Sequence, residues 1–132
     1  MTLELKKSDQ ETVKKVASEF INFYYNCLNN KSYDEICKYL KKFTTISADK
    51  IRYLDDDLLK YYQMFQNIEA EFSNIDYDTL HSGAKRINIL VSGIINFNNN
   101  GDRSSRQFTE YIHCGSSKEG EFWIQTIIFK LI

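Results

Sequence analysis

Asp76, Glu110, His81 and His113 are the side chains whose types and settings suit proton transfer in this 132-residue chain. Glu110 stands two positions from Phe108 and two from Ile112, and so shares their side of a strand. General acid–base work needs an acid and a base facing one interior, with pKa values pushed apart by their surroundings. Asp76, in a strand open to a bulge, is the second interior candidate. His113 falls on the opposite parity, toward an outer face, and His81 precedes Ser82 and Gly83 in a loop. The plainer reading is preferred for all four: strand carboxylates held by hydrogen bonds, and histidines at a rim or interface. The expectation is therefore a protein that is not an enzyme.

Metal chemistry has even less to stand on. Cys27, Cys37 and Cys114 are odd in number, far apart and without a CxxC spacing, which reads as reduced, buried thiols. Asp55, Asp56 and Asp57 precede "LLKYYQMF", where acidic groups meet the unpaired amides and positive dipole end of a helix. No further ligands stand at loop spacing. No metal and no cofactor are expected.

The elements around these residues follow from periodicity. Ser8-x-x-Glu11 has the form of a capping box, and Val13, Val16, Ala17, Phe20, Tyr24 and Cys27 then recur at helical spacing to about residue 28. A second box, Ser32-x-x-Glu35, opens a short helix carrying Ile36 and Leu40. "FTTISA" (43–48) reads as a strand, with "IRYL" pairing as a hairpin, and the acidic run starts a third helix. From residue 69 the period changes to two. "EAEFSNIDY", "KRINILVSGIINF", "RQFTEYIHC" and "EFWIQTIIFKLI" are strands, joined by loops "HSGA", "NNNGDRSS" and "GSSKEG". Helices first and strands after is the order of an α+β fold, with helices on one side of an antiparallel sheet. The length suits one domain spanning 1–132.

With 17 basic and 18 acidic residues the formal net charge is −1, which leaves no electrostatic footprint for a phosphate backbone or an anionic membrane. No direct nucleic-acid or membrane binding is expected. The start lacks a signal-peptide pattern, and no apolar run nears the ~20 residues of a membrane span.

Alternation separates two sheet faces. Ile87, Ile89, Val91, Gly93, Ile95 and Phe97 form a helix-covered side, as do Phe108 and Ile112, and Trp123, Ile127, Phe129 and Leu131. The other side mixes apolar and polar groups. Leu90, Ile94, Tyr111 and Ile128 would leave an apolar patch in water there, the mark of a partner surface. Phe20, Phe23 and Tyr24 are large enough to fill the gap between a curved sheet and one long helix, with hydroxyls reaching the rim. A small-molecule pocket there is the lesser alternative.

"EFINFYYN", "FTTIS", the helix after the acidic turn, "VSGIINF", "RQFTEYIHC" and "IIFKLI" together resemble the nuclear transport factor 2 family over roughly residues 13–132. The resemblance implies a cone of about three helices packed on a strongly bent antiparallel sheet whose open face makes dimers. It implies an interface of Phe72, Leu90, Ser92, Ile94, Tyr111, His113, Ile128 and Lys130. Three branches follow from it: a homodimeric carrier of Ran-GDP, the small subunit of the messenger-RNA export receptor, and enzymes of the isomerase or dehydratase kind. The carrier's acidic loop corresponds to "NFNNNGDRSS", with asparagines in place of the acids. Its glutamate falls on Ala48 and its first-helix aromatic on Val13. The closing Asn-Asp-x-Phe-Arg-Leu becomes Thr126 to Leu131. Arg103 and Arg106 in the loop fit the export-receptor small subunit better, with Lys130 pairing an acid of the partner. The implied protein is a transport adaptor in the nucleus and cytoplasm, at the nuclear pore. It would bind a large export-receptor subunit or a second copy of itself, with phenylalanine-glycine nucleoporins as further partners and Ran-GDP disfavoured.

Overall fold

The computed structural model describes residues 10–81, 86–117 and 121–132, so Ser8 of the first capping box and the Ser82–Gly83 loop lie outside it. Helix α1 (Gln10–Asn29) is followed by α2 (Tyr33–Cys37), β1 (Leu40–Ala48), β2 (Ile51–Leu54), a 3₁₀ turn (Asp55–Asp57) and α3 (Leu58–Asn67). Four long strands complete the described chain: β3 (Glu71–His81), β4 (Arg86–Asn99), β5 (Asp102–Ser116) and β6 (Phe122–Leu131). They form one curved six-stranded sheet in the order β2-β1-β6-β5-β4-β3, with the helices on one side. The fold is α+β, as the order of periodicities requires. All strand pairs are antiparallel except β1 with β6, which run parallel.

Local chemistry explains where expected boundaries moved. Between β4 and β5 only Asn100 and Gly101 turn, with φ of 55° and 92°. Two positive φ values in a two-residue loop suit the twist of the flanking strands, and Asn-Gly supplies them cheaply. Asn98 and Asn99 therefore pair with Arg103 and Asp102 inside the ladder, where a longer loop was expected. Leu40 opens β1 and does not close α2, and His81 ends β3. The Ser32-x-x-Glu35 box does not form: Ser32 makes no side-chain cap, and Glu35 bonds Lys38 instead. Asp57 likewise caps α3 without a side-chain bond, the acidic run having wound into the 3₁₀ turn.

The core lies between α1, α3 and the inner sheet face. Val13, Val16, Ala17, Phe20, Tyr24 and Cys27 are buried as their spacing predicts, and Ile21, Tyr25 and Leu28 join them. A helix covered on so much of its circumference sits inside the curl of the sheet. Burying each large apolar side chain contributes about 1.5–3 kcal/mol. Asn29 fastens the end of α1 to β3, donating Nδ2 to the Phe72 carbonyl and accepting the Phe72 N–H on Oδ1.

Two bulges set which side chains face which way. Between Ser73 and Asp76 strand β3 spends one residue more than β4, and Asn74 takes φ 53°. Gly93 faces this bulge. A Cβ there would stand 2.9 Å from both the Ile75 Cδ1 and the Phe108 Cε1 atoms, so only glycine admits the close approach. The second bulge is in β6: Thr126 pairs with His113 but Ile124 with Cys114, leaving Gln125 extra. It inverts the expected parity of the strand's first half. Ile124 is buried and Trp123 stands on the outer side against Phe43, contrary to its expected place in the inner series.

Candidate functional site

The inner cluster is built on Glu110. Its parity with Phe108 and Ile112 carries the carboxyl group into the helix-covered interior, where Glu110 is 1% exposed. Tyr25, from α1, donates its hydroxyl to Oε1 at 2.5 Å. Tyr61, from α3, donates to Oε2 at 2.9 Å. A second hydroxyl pair, Tyr24 with Tyr62, lies alongside at 3.1 Å. Burial pushes the Glu110 pKa up to about 7, with the two tyrosine bonds pulling against it. Burial and the neighbouring Glu110 hold the tyrosines far above their ordinary range.

Aromatic rings close around this carboxyl. Tyr25 packs on Phe72 and Phe108, and Tyr61 on Phe65 and Phe129, with centroids 4.9–6.2 Å apart. Three expectations change here. Tyr25, outside the expected gap-filling set of Phe20, Phe23 and Tyr24, is central to the interior. The Tyr24 hydroxyl does not reach a rim but is fully buried, and Phe23 is only half-buried, against Tyr39. Phe72, expected at the partner interface, is 4% exposed and packs against Phe65 and Phe108, because it precedes the β3 bulge on the inward parity.

The β3 bulge also separates the two carboxylates. Asp76 pairs with Ser92 on the outer face and is exposed, so it and Glu110 lie on opposite sides of the sheet. They cannot serve one reacting centre. His113 is outward as its parity predicts. The His113 Nδ1 atom lies 2.5 Å from Asn88 Oδ1, which also accepts the Tyr111 hydroxyl at 2.7 Å. An amide oxygen as partner requires the proton on Nδ1. Burial, then Arg86, lowers the His113 pKa. Among the described residues no group of three His, Cys, Asp or Glu side chains could hold a metal ion.

The outer face otherwise carries the expected set. Leu90 is 56% and Ile128 47% exposed, Ser92 and Lys130 are exposed, and Ile94 and Tyr111 are half-buried. Sequence reasoning missed Tyr25, Tyr61 and Asn88. A glutamate on an apolar face signals that partners must exist; which tyrosines supply them depends on how two helices cross the sheet.

No family model and no curated protein matches the chain. Solved structures do. A putative calcium/calmodulin-dependent protein kinase II association domain from Xanthomonas campestris superposes with a TM-score of 0.75 at 12% identity, covering 100% of this chain and 95% of that one. Nuclear transport factor 2 from Cryptosporidium parvum gives 0.71 at 11%, covering 91% and 94%. A ketosteroid isomerase-like protein from Erwinia carotovora atroseptica gives 0.70 at 12%, covering 83% and 88%. At such identities the likeness establishes the fold, which is nuclear transport factor 2-like.

Proposed function

We propose that this protein is a nucleocytoplasmic transport adaptor, of the messenger-RNA or protein export-cofactor kind, that works by pairing with a protein through its open sheet face. One observation carries the reading: the sheet's inner face is sealed around Glu110 at 1% exposure, while its outer face leaves Leu90 and Ile128 about half in water. A closed interior and an apolar exterior favour binding over catalysis. The similarity to a nuclear transport factor 2 and to a protein named as an association domain supports it. Asn98 to Asn100 in place of an acidic loop weigh against Ran-GDP as cargo, since charge-assisted bonds to a basic partner would be missing.

The test is affinity capture from the native cell with wild type and Ile128→Glu, together with calorimetry against Ran-GDP. An export-receptor subunit or phenylalanine-glycine nucleoporin recovered by wild type and lost in the variant, with no heat from Ran-GDP, is the expected result. Recovery of no transport component, or micromolar Ran-GDP binding that fades with salt, overturns the assignment. A fluorescent fusion concentrated at the nuclear rim is the matching expectation for location.

A second reading rests on Glu110, whose pKa near 7 suits a general base in an isomerase or cyclase. Both its oxygens are occupied by tyrosine hydroxyls, which stands against it. Saturable chemical-shift changes at Tyr25 and Tyr61 on titration with small ketones and phenols would move the function to the interior; unchanged spectra keep it on the face.

A further inference from the structure

The two edges of the sheet are finished differently. On one side β2 is only four residues long. On the other, β3 runs for eleven residues, and its first part is protected. Asn29 occupies both backbone groups of Phe72, and the bulge between Ser73 and Asp76 interrupts the strand's regularity. Over residues 76–80 the pairing with β4 is regular, and neither device recurs. The Tyr77 N–H donates to Asp76 Oδ1 at 3.0 Å, so Tyr77 turns its backbone away from β4. Alternate residues of an antiparallel ladder point the same way, so Thr79 does too. Backbone groups left open along a regular edge are a template for another strand.

The side chains on this edge select the strand. β3 contains no lysine or arginine. Asp76 and Asp78 stand on the outer side, both exposed, and neither takes part in an ion pair among the described residues. Tyr77 and Thr79 alternate with them on the inner side and are half-buried. We propose that the edge over residues 76–80 is a second docking site, which takes an extended cationic segment of another protein as a seventh strand. Lysine or arginine would lie beside Asp76 and Asp78, and apolar side chains beside Tyr77 and Thr79. The incoming carbonyl replaces Asp76 Oδ1 on the Tyr77 N–H and frees that carboxylate for the cation, an exchange its exposure permits. Cross-strand opposite charges and main-chain bonds then act together. A second copy adding its own β3 would set acids against acids, which disfavours it. The site lies on the rim of the sheet and does not depend on the reading of the open face.

The probe is an end-blocked, fluorescently labelled Lys-Val-Lys-Val-Lys-Val peptide, titrated by anisotropy, with amide hydrogen exchange measured on the protein. Saturable binding that weakens with salt, and slowed exchange at Tyr77 and Thr79, is the expected result. Asp78→Lys should weaken binding about tenfold or more. Thr79→Pro should also weaken it, because it removes an edge N–H at a place where a strand tolerates proline. Circular dichroism confirms that both variants fold. Ile128→Glu, on the open face, should leave binding unchanged. Equal binding of Lys-Pro-Lys-Pro-Lys-Pro overturns strand addition, since that peptide keeps the charge and lacks the N–H groups that would meet Tyr77 and Thr79. Equal binding of Glu-Val-Glu-Val-Glu-Val overturns the cationic partner. Binding lost in Ile128→Glu overturns the edge and moves the peptide to the open face. No binding, or binding without slowed exchange at Tyr77 and Thr79, overturns the proposal outright.

Discussion

Strand β5 carries two polar clusters, one on each side, and they differ in completeness. Inward, Glu110 accepts from Tyr25 and Tyr61, which lie 85 and 49 residues away in sequence, on two helices. Outward, His113 and Tyr111 share Asn88, an immediate neighbour on β4. Both clusters sit among apolar side chains. The inner one is enclosed and has every carboxylate oxygen bonded; the outer one is half-buried, beside an exposed Leu90 and Ile128. A buried charged or polar group must be satisfied within the chain, because no water reaches it. A half-buried one can still take a partner from outside. The difference gives the inner face to folding and leaves the outer face as the one on which the proposed assembly rests.

The largest test of that division is truncation of the inner acid. Glu110→Ala leaves two buried tyrosine hydroxyls without their acceptor and opens a cavity, and should cost about 3–5 kcal/mol by urea unfolding. Asn88→Ala, its outer counterpart, should cost no more than about 1 kcal/mol, because water replaces the lost bonds. Equal costs would erase the distinction.

The two clusters should also respond to pH with opposite sign. Glu110 has its folded pKa raised, so the fold holds more protons than the unfolded chain between about 4.5 and about 7. Its stabilisation is complete below the unfolded value and is lost as pH rises through the folded one, a change on the order of 3 kcal/mol. His113 has its pKa lowered, so its contribution is present above 6.5 and is lost on acidification. Urea midpoints from pH 4.5 to 8 should fall with rising pH in wild type. Glu110→Gln should abolish that fall and uncover the weaker, opposite slope of His113.

A smaller effect sharpens the role of the β3 bulge. Gly93→Ala would press a methyl group onto Ile75 and Phe108 and against the Ser73 carbonyl, costing about 1–3 kcal/mol. The smallest effect is expected at Ile128. Replacement by Glu should change the unfolding free energy of the monomer by less than about 1 kcal/mol, since the residue is 47% exposed. Its consequence should be confined to assembly.

Much of this was legible in the chain. Period-two alternation in "KRINILVSGIINF" assigned Ile87, Ile89, Val91 and Ile95 to the buried face, and helical spacing did the same for Val13 through Cys27. The outer set of Leu90, Ile94, Tyr111 and Ile128 follows from the same parity. These readings held because side-chain direction is a local property of a strand or helix. The bulge at Gln125 was not legible, so Trp123 was expected inside and stands outside. In β3 a bulge was anticipated but not its place: between Ser73 and Asp76 it turns Phe72, set on the interface by the resemblance, inward and Asp76, the interior candidate, outward. A bulge counts one residue against a partner strand, and the partner's register is not written in the bulged strand itself.

By itself, then, the sequence determined the elements, the two faces of β4 and β5, and the fact that Glu110 would need partners on an apolar side. Only the tertiary structure decided that those partners are Tyr25 and Tyr61, that Asp76 turns away from them, and that β3 lies at an edge of the sheet. The physical reason is range. Periodicity and propensity act between residues a few positions apart, whereas the closing of a sheet around a helix brings together groups tens of residues apart, whose meeting no local pattern encodes.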